Sequence, residues 1–533
     1  ALNSKDCFKD LGRNAETPAG YKKIPCHFVY DVKFDGRHKA RFVAGGHRTD
    51  TPIGSIYSGV VSLEGIRIVT LIAEMNDMEL WATDVGNAYL ESYTEEKVCF
   101  IAGPEFGALE GSLMIIVKAL YGLKSSGKRW HERLFDVLLS LGFTPTKAEE
   151  DIWIKDMGDH YDYIAVYVDN MMIASKDPKW IIKGLEAILF SLKGIEPITY
   201  HLGCNYFRDE HGTLCVGPRK YIEKMVGEYE RLFGKKPSLK VRSPLEHNDH
   251  PELDLSPILD EEGIRKYQSL IGTLQWAITL GRFDVATAVM TMSSFRVAPR
   301  EAHLDRLRQV CGYLYKFKSG CLRVRTNKPD YSSLSTEEYA WSRTCYRGAK
   351  EEIPHDIPTP KGKRVVLTSY VDANLLHCVV TGKAVTASLH MVNQTVISWL
   401  SRKQETVETA TYGLEFVEAR KIIQQNIGLR LTLRYLGVPI EGPTFLFGDN
   451  ESIVKSSTVP DSRLGKQHHG LSYHFTREAI AANVVSFHHI PSELNPADIL
   501  SKHWVHTQVW TTLQPHMFWS GDTGKLLDGT NME

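Results

Sequence analysis

The sequence predicts a mixed α/β protein of more than one domain, and three observations carry that expectation. Segments with strand character, Cys26 to Lys33 and Lys39 to Ala44, stand in the first third beside a stretch from Lys128 to Leu141 whose apolar spacing suits a helix. A helical pattern then runs between Tyr267 and Tyr315. Thr326 to Lys363, poor in aliphatics and carrying Pro329, Pro354, Pro358 and Pro360, separates these from a second series of strand-like and helical segments.

Length agrees with that division, because 533 residues at roughly 150 per domain give about three or four domains. A composition of 43% hydrophobic and 24% charged residues is that of a folded chain and excludes wholesale disorder. The apolar run Ile68 to Ala73 is far short of the roughly 18 to 20 residues that cross a bilayer, so no membrane partner is expected. Nine cysteines without a Cys-x-x-Cys pair suggest neither a disulfide framework nor a zinc ribbon, and fit a reducing intracellular setting. The opening Ala1-Leu-Asn-Ser, with no initiator Met, leads us to expect a fragment or a processed product.

Charge is balanced globally and uneven locally. Sixty-three Lys and Arg face 64 Asp and Glu, yet Lys22 to Arg48 holds seven basic residues against Asp31 and Asp35. Arg219 to Arg242 holds eight against Glu223, Glu228 and Glu230. Such patches suit either a nucleic-acid groove or an ordinary solvated face.

Taken in order, the elements support the division. In the helical block, Leu270, Ile271, Leu274, Ala277 and Ile278 share one buried stripe. Beyond a boundary near 360 come strand-like Arg364 to Val371 and Val396 to Leu400, a helical stretch from Thr411, and strands around Phe445 and Val484. Strands followed by alternating helix and strand indicate a second α/β domain.

The sharpest local feature is Tyr163-Ile-Ala-Val-Tyr-Val-Asp169-Asn170-Met-Met-Ile-Ala-Ser175, two apolar runs flanking Asp-Asn, a pair suited to a tight hairpin turn. Asp169 is expected at its tip. Asp84 follows the run Met78 to Thr83. Either aspartate alone reads as an ordinary turn residue, but two carboxylates at adjacent strand ends suit Mg²⁺, which prefers oxygen ligands and substrate phosphates.

Together these residues resemble a known set. Thr83-Asp-Val-Gly-Asn-Ala-Tyr-Leu90 looks like the first catalytic motif of reverse transcriptases, and Tyr167-Val-Asp-Asn170 like their Tyr-x-Asp-Asp motif with the last Asp replaced. Lys118-Ala-Leu-Tyr-Gly-Leu-Lys-Ser-Ser-Gly-Lys-Arg-Trp130, Tyr267 to Trp276 and Arg282 to Val289 are similar to segments of copia-type long-terminal-repeat retrotransposons. The resemblance runs from about residue 20 to Trp504.

That resemblance implies a right-hand polymerase followed by an RNase H-like domain. Fingers and palm would occupy 1–210, a mainly helical thumb 211–325, a linker 326–363, the RNase H-like domain 364–505 and a tail 506–533. The implied polymerase carboxylates are Asp84 and Asp169, with Asn170 beside them. Tyr89 would be the gate against a ribose 2′-hydroxyl. Lys39 or Arg41 would grip phosphate, Gly122, Lys124 and Ser125 would contact template and incoming base, and Leu202 and Gly203 would form the primer grip. In the second domain the implied acids are Asp372, Glu415, Asp449 and Asp498, with His468 or its neighbour His469 on the substrate side.

The implied cofactor is Mg²⁺ or Mn²⁺, two ions per site. Implied partners are an RNA template, a DNA primer, RNA/DNA hybrid and deoxynucleoside triphosphates. The Gag, protease and integrase parts of the polyprotein would lie outside this chain, which carries no protease or integrase signature. Location would be cytoplasmic, in a virus-like particle, or nuclear.

Asn170 departs from the pattern. An Asn keeps an acceptor oxygen but loses a charge, and a unit charge pair at about 4 Å and effective dielectric near 20 is worth roughly 4 kcal/mol. Impaired polymerisation is therefore expected. The alternatives are a decayed or host-adopted copy that binds hybrid without synthesis, or a structural part of the polyprotein.

Overall fold

The computed structural model describes residues 5–32, 38–50, 56–188, 191–334, 341–405, 411–462 and 470–519, without the side chains of 411–415. Two compact units result: Ala1–Ser62 with Met78–Pro197, and Leu63–Asp77 with Ile198–Glu533. Both mix helix and sheet, as the sequence predicts.

The first unit is built on a six-stranded sheet in the order Leu192–Pro197, Glu79–Val85, Asn170–Ser175, Tyr161–Tyr167, Ile152–Asp156, Thr144–Pro145. Its inner strands read as continuous apolar runs because both faces are covered; Tyr161 to Val166 are all buried. Helices Ser126–Ser140 and Pro178–Ile188 place Trp130, Leu134, Ile181 and Leu185 against Ile164, Met171 and Ile173. A second, four-stranded sheet and the hairpin Cys26–Val32/His38–Ala44 enclose Phe42 and Phe100, with Phe8, Phe28 and Phe106 packed against them.

The second unit has two five-stranded sheets. One runs Tyr200–His201, Cys204–Arg208, Leu214–Gly217, Cys321–Val324, Met517–Phe518. Its helices Arg219–Phe233, Glu261–Thr279, Ala286–Ser293 and Glu301–Lys316 share one core, which takes in the expected stripe at Leu270, Ile271, Leu274 and Ala277. The other sheet has the order Thr395–Lys403, Lys383–Val392, Leu367–Cys378, Thr444–Gly448, Val485–His489. Its first three strands are antiparallel and the last two join in parallel. Helices Thr411–Tyr435, Glu451–Thr458 and Gly470–Ala481 cover one face, burying Ile422, Ile423, Ile453 and Tyr473 against Val371, Leu446 and Phe487.

The expected boundaries move in three places. The break between units falls after Pro197 rather than at 210, because Cys204–Arg208 pairs with Leu214–Gly217 in the second unit's sheet. The segment read as a linker is packed where Glu351 forms bidentate pairs with Arg430 (2.7 and 2.8 Å) and Arg434 (2.6 and 2.7 Å). The segment read as a tail folds through Trp519. Helix His506–Leu513 is followed by a strand in which Phe518 pairs with Cys321, and the buried Trp519 anchors it in the core. Residues 520–533 lie outside the described ones.

Two candidate active sites

The hairpin that carries Asp169 turns one residue earlier than its Asp-Asn pair suggests. Tyr167 pairs with Asn170, so the two turn residues are Val168 and Asp169, and Asn170 opens the return strand. Val168 takes a left-handed φ of 59°, which for a β-branched residue costs of order 1–3 kcal/mol and needs surrounding structure to impose it. The buried Trp130 supplies part of that, donating from Nε1 to the Val168 carbonyl at 2.7 Å. Val85 N–H donates to the Asp169 carbonyl at 2.8 Å.

This register brings the predicted aspartates together. Asn170 pairs with Asp84 across adjacent strands, so Asp84 and Asp169 share one sheet end. Burial first, and then the nearby Asp84, push the Asp169 carboxyl above the usual range. The Asp169 backbone, Lys39 and the Asn170 amide pull against that shift, and Asn170 Nδ2 donates to Asp169 Oδ1 at 3.1 Å.

Tyr89 lies on a 3₁₀ turn, Ala88–Glu91, entered through the left-handed Asn87. Its ring is 4.9 Å from that of Tyr121, and burial and then Asp169 raise both hydroxyl pKa values. Tyr121 was not singled out in the sequence; its aromatic character beside a turn glycine was the available signal. The Arg41 guanidinium lies 5.6 Å from the Tyr121 ring centroid, with its Nε buried and unpaired.

Gly122 has φ +92°, and a Cβ there would meet the Ala44 carbonyl at 2.1 Å. It lets two backbones cross, as Ala44 N–H donates to Tyr121 O at 2.8 Å. Lys124 Nζ donates to Thr49 O at 2.7 Å, while the buried Ser125 donates from backbone and hydroxyl to Glu96 Oε1 at 2.9 and 2.7 Å. Leu202 and Gly203 belong to the second unit. They form the turn between Tyr200–His201 and Cys204–Arg208, both with positive φ, 47° and 92°.

The second site lies where the parallel pairing of two strands stops. Tyr370 pairs with Phe447, which sets Asp372 and Asp449 level two residues further on. Asp498 stands on the 3₁₀ turn Pro496–Leu500, capped by Asn495, whose Oδ1 accepts from Ala497 N–H at 3.1 Å. The same side chain donates to Val371 O at 2.8 Å, tying this turn to the strand beside Asp372. Ser501 Oγ donates to Asp372, and Lys502 pairs with Asp498 while standing 3.8 Å from Asp372 Oδ2. Burial above all moves the Asp372 carboxyl up to about 7; Asp498 and Asp449 add to this, and Lys502 and Ser501 oppose it. Asp449 Oδ2 accepts from Ser492 Oγ at 2.8 Å.

Sequence reasoning singled out the acids and passed over Ser492, Asn495, Ser501 and Lys502. The backbone of Glu415 lies in helix Thr411–Tyr435, but its side chain is outside the described ones, and His468 and His469 are outside the described residues. Among the described residues no group of three or more His, Cys, Asp or Glu side chains could hold a metal ion alone.

An antiparallel sheet with paired aspartates at a hairpin end thus stands in the first unit, and a separate carboxylate site beside parallel strands in the second. Residues 12–237 match the family described as "Reverse transcriptase (RNA-dependent DNA polymerase)". A retrovirus-related Pol polyprotein from transposon TNT 1-94 of Nicotiana tabacum is 26% identical over 505 residues, covering 91% of this chain and 35% of that protein. One from transposon RE1 of Arabidopsis thaliana is 25% identical, covering 91% and 31%. This chain spans about a third of the length of those relatives. A solved structure of the foamy viral protease-reverse transcriptase dRH in complex with ds DNA is 12% identical, with TM-score 0.47 and coverage of 92% of this chain and 68% of that one. Over 91% of its length the chain is thus similar to retrovirus-related Pol polyproteins from plant transposons, with the family match confined to residues 12–237.

Proposed function

We propose that this protein copies retrotransposon RNA into DNA as an RNA-directed DNA polymerase and degrades RNA in the resulting hybrid, with a separate site for each reaction. The register that pairs Asp84 with Asn170, and so sets it beside the hairpin Asp169, is the observation that carries the reading. The reading takes up the domain roles that the resemblance implies, palm for the six-stranded sheet and RNase H-like for the carboxylate sheet, with intracellular action alongside polyprotein parts outside this chain.

Both sites suit Mg²⁺ or Mn²⁺. Their donors are carboxylate oxygens, and burial above all, with neighbouring carboxylates adding to it, raises Asp169 and Asp372, the situation that a bound cation relieves. Asp84 and Asp169 would hold ions at the first site, and Asp372, Asp449 and Asp498, with Glu415, at the second. Bound divalent ions supply Lewis-acid activation of a hydroxyl or water and neutralise the leaving oxygen.

The chain's own residues supply position. Trp130 and Val85 hold the hairpin carbonyls, which fixes where Asp169 points. The Tyr89 ring, beside that of Tyr121, would exclude a ribose 2′-hydroxyl from the nucleotide near Asp169. Lys39 and Arg41 offer charge to the triphosphate. Ser492 and Ser501 orient Asp449 and Asp372.

Asn170 favours a second reading, a host-adopted or decayed copy that binds hybrid without synthesis, because its amide hydrogen-bonds Asp169 in place of a carboxylate. One preparation assayed for primer extension on RNA and for hybrid cleavage decides between them. The polymerase reading expects both activities, with cleavage abolished by Asp449→Asn. Cleavage without extension supports the second reading, and a folded protein with neither activity sinks both.

A further inference from the structure

Among the described residues Lys502 is the one Lys or Arg that pairs with the carboxylates of the second site. Its Nζ forms an ion pair with Asp498 and stands 3.8 Å from Asp372 Oδ2. The backbone dictates this place. Lys502 N–H donates to the Asp498 carbonyl at 3.0 Å, so the ammonium returns over the carboxylate four residues before it. Asn374 Nδ2, two residues beyond Asp372, donates to the Ser501 carbonyl at 3.2 Å and fixes the same stretch against the strand.

Two carboxylates that share one ammonium are held together by it, and that ammonium is also what any other cation must overcome to reach them. Lysine suits the part, being a compact charge on a flexible stem with no fork to lock it in place. With 33% of its side chain exposed, Lys502 has a way out to water. The other partners here, Ser501 on Asp372 and Ser492 on Asp449, are neutral hydroxyls, which orient a carboxylate without opposing a cation.

We propose that Lys502 is a positioning residue of the nuclease-like site, a resident counter-cation that keeps Asp372 and Asp498 together and sets how much divalent ion the site needs by competing for both. The proposal rests on the reading of this site as one that takes divalent ions.

The test is Mn²⁺ binding to the full chain, followed by electron paramagnetic resonance of the free ion, with Asp84→Asn and Asp169→Asn silencing the first site. Lys502→Met, similar in length and neutral, is expected to tighten binding roughly tenfold, because a unit charge this close to two carboxylates still counts after partial screening. Lys502→Arg keeps the charge and should stay near the parent. In buffer free of divalent ions Lys502→Met should melt earlier than the parent, and saturating Mn²⁺ should close the gap. In the otherwise unmodified chain the Mg²⁺ needed for half-maximal hybrid cleavage should fall by the same factor as the Mn²⁺ affinity rises. Unmoved or weaker ion binding in a folded Lys502→Met overturns the proposal, and so does an Arg variant that behaves like Met. Weakened hybrid binding in Ca²⁺ with unmoved ion affinity would make Lys502 a phosphate contact instead. A parent without ion binding that Asp449→Asn removes would sink the metal reading itself, and the proposal with it.

Discussion

Asn170 donates its side-chain amide to Asp169 at 3.1 Å and sits opposite Asp84 in the strand register. A neutral donor thus occupies one oxygen of the carboxylate that Asp84 already crowds.

Asn170→Asp removes that donor and adds a third negative charge. Primer extension on an RNA template in Mg²⁺ is expected to rise by roughly tenfold or more, a small part of the roughly 4 kcal/mol that a close charge pair carries. Without divalent ions the same variant should melt earlier than the parent, because three carboxylates repel. Unmodified protein that already extends at the variant's rate would refute the impaired-site expectation.

Gly122→Ala places a Cβ about 2.1 Å from the Ala44 carbonyl on a backbone at φ +92°. Loss of at least about 2 kcal/mol is expected from strain and the forced separation of the two backbones. Urea denaturation of the first unit's transition measures it, and Gly122→Ala with parental stability contradicts the crossing.

Buried histidines set an acid limit. Burial lowers His201, His506 and His516 to about 4 each. The unfolded chain binds these protons near pH 6.5 and the folded chain only near 4, so stability is complete above about 6.5 and declines as pH falls between those values. At pH 5.5 each group costs roughly 1.4 kcal/mol. Chemical denaturation at pH 7.5, 6.5 and 5.5 should show a progressive fall, and His506→Gln should flatten it.

Glu351 clamps the proline-bearing segment to Arg430 and Arg434 and, although burial opposes its charge, those two guanidinium groups lower it to about 2. Its contribution is present above about pH 4.5 and disappears as pH falls toward 2. Glu351→Gln should cost about 2 kcal/mol at pH 7, since Arg430 is left buried without its counter-charge. Limited proteolysis between 341 and 363 should accelerate in that variant; an unchanged digestion rate would mean the clamp does not hold the segment.

The aspartates were legible because each is tied to a strand end by short-range apolar runs, and Asp84, Asp169, Asp372 and Asp449 all stand at or beside strands. The turn was misplaced by one residue because nothing intrinsic to Val168 favours a left-handed φ; a distant indole, Trp130, helps hold it. Lys502 and Ser501 carry no pattern of their own and gain meaning only when the Asp498 turn reaches Asp372. The Glu351 clamp was hidden in the same way, since a lone Glu between prolines reads as solvated until two arginines on one helix face it.

The pairing of Cys321 with Phe518 means that a sheet begun at Tyr200 is finished only near the chain's far end. During synthesis the Cys321–Val324 strand waits with an open edge while the whole carboxylate sheet is made, and that edge is a template for pairing with another chain. A cut anywhere between Val505 and Met517 would free the same edge in the mature protein. Fragments of this chain should therefore keep residues through Trp519.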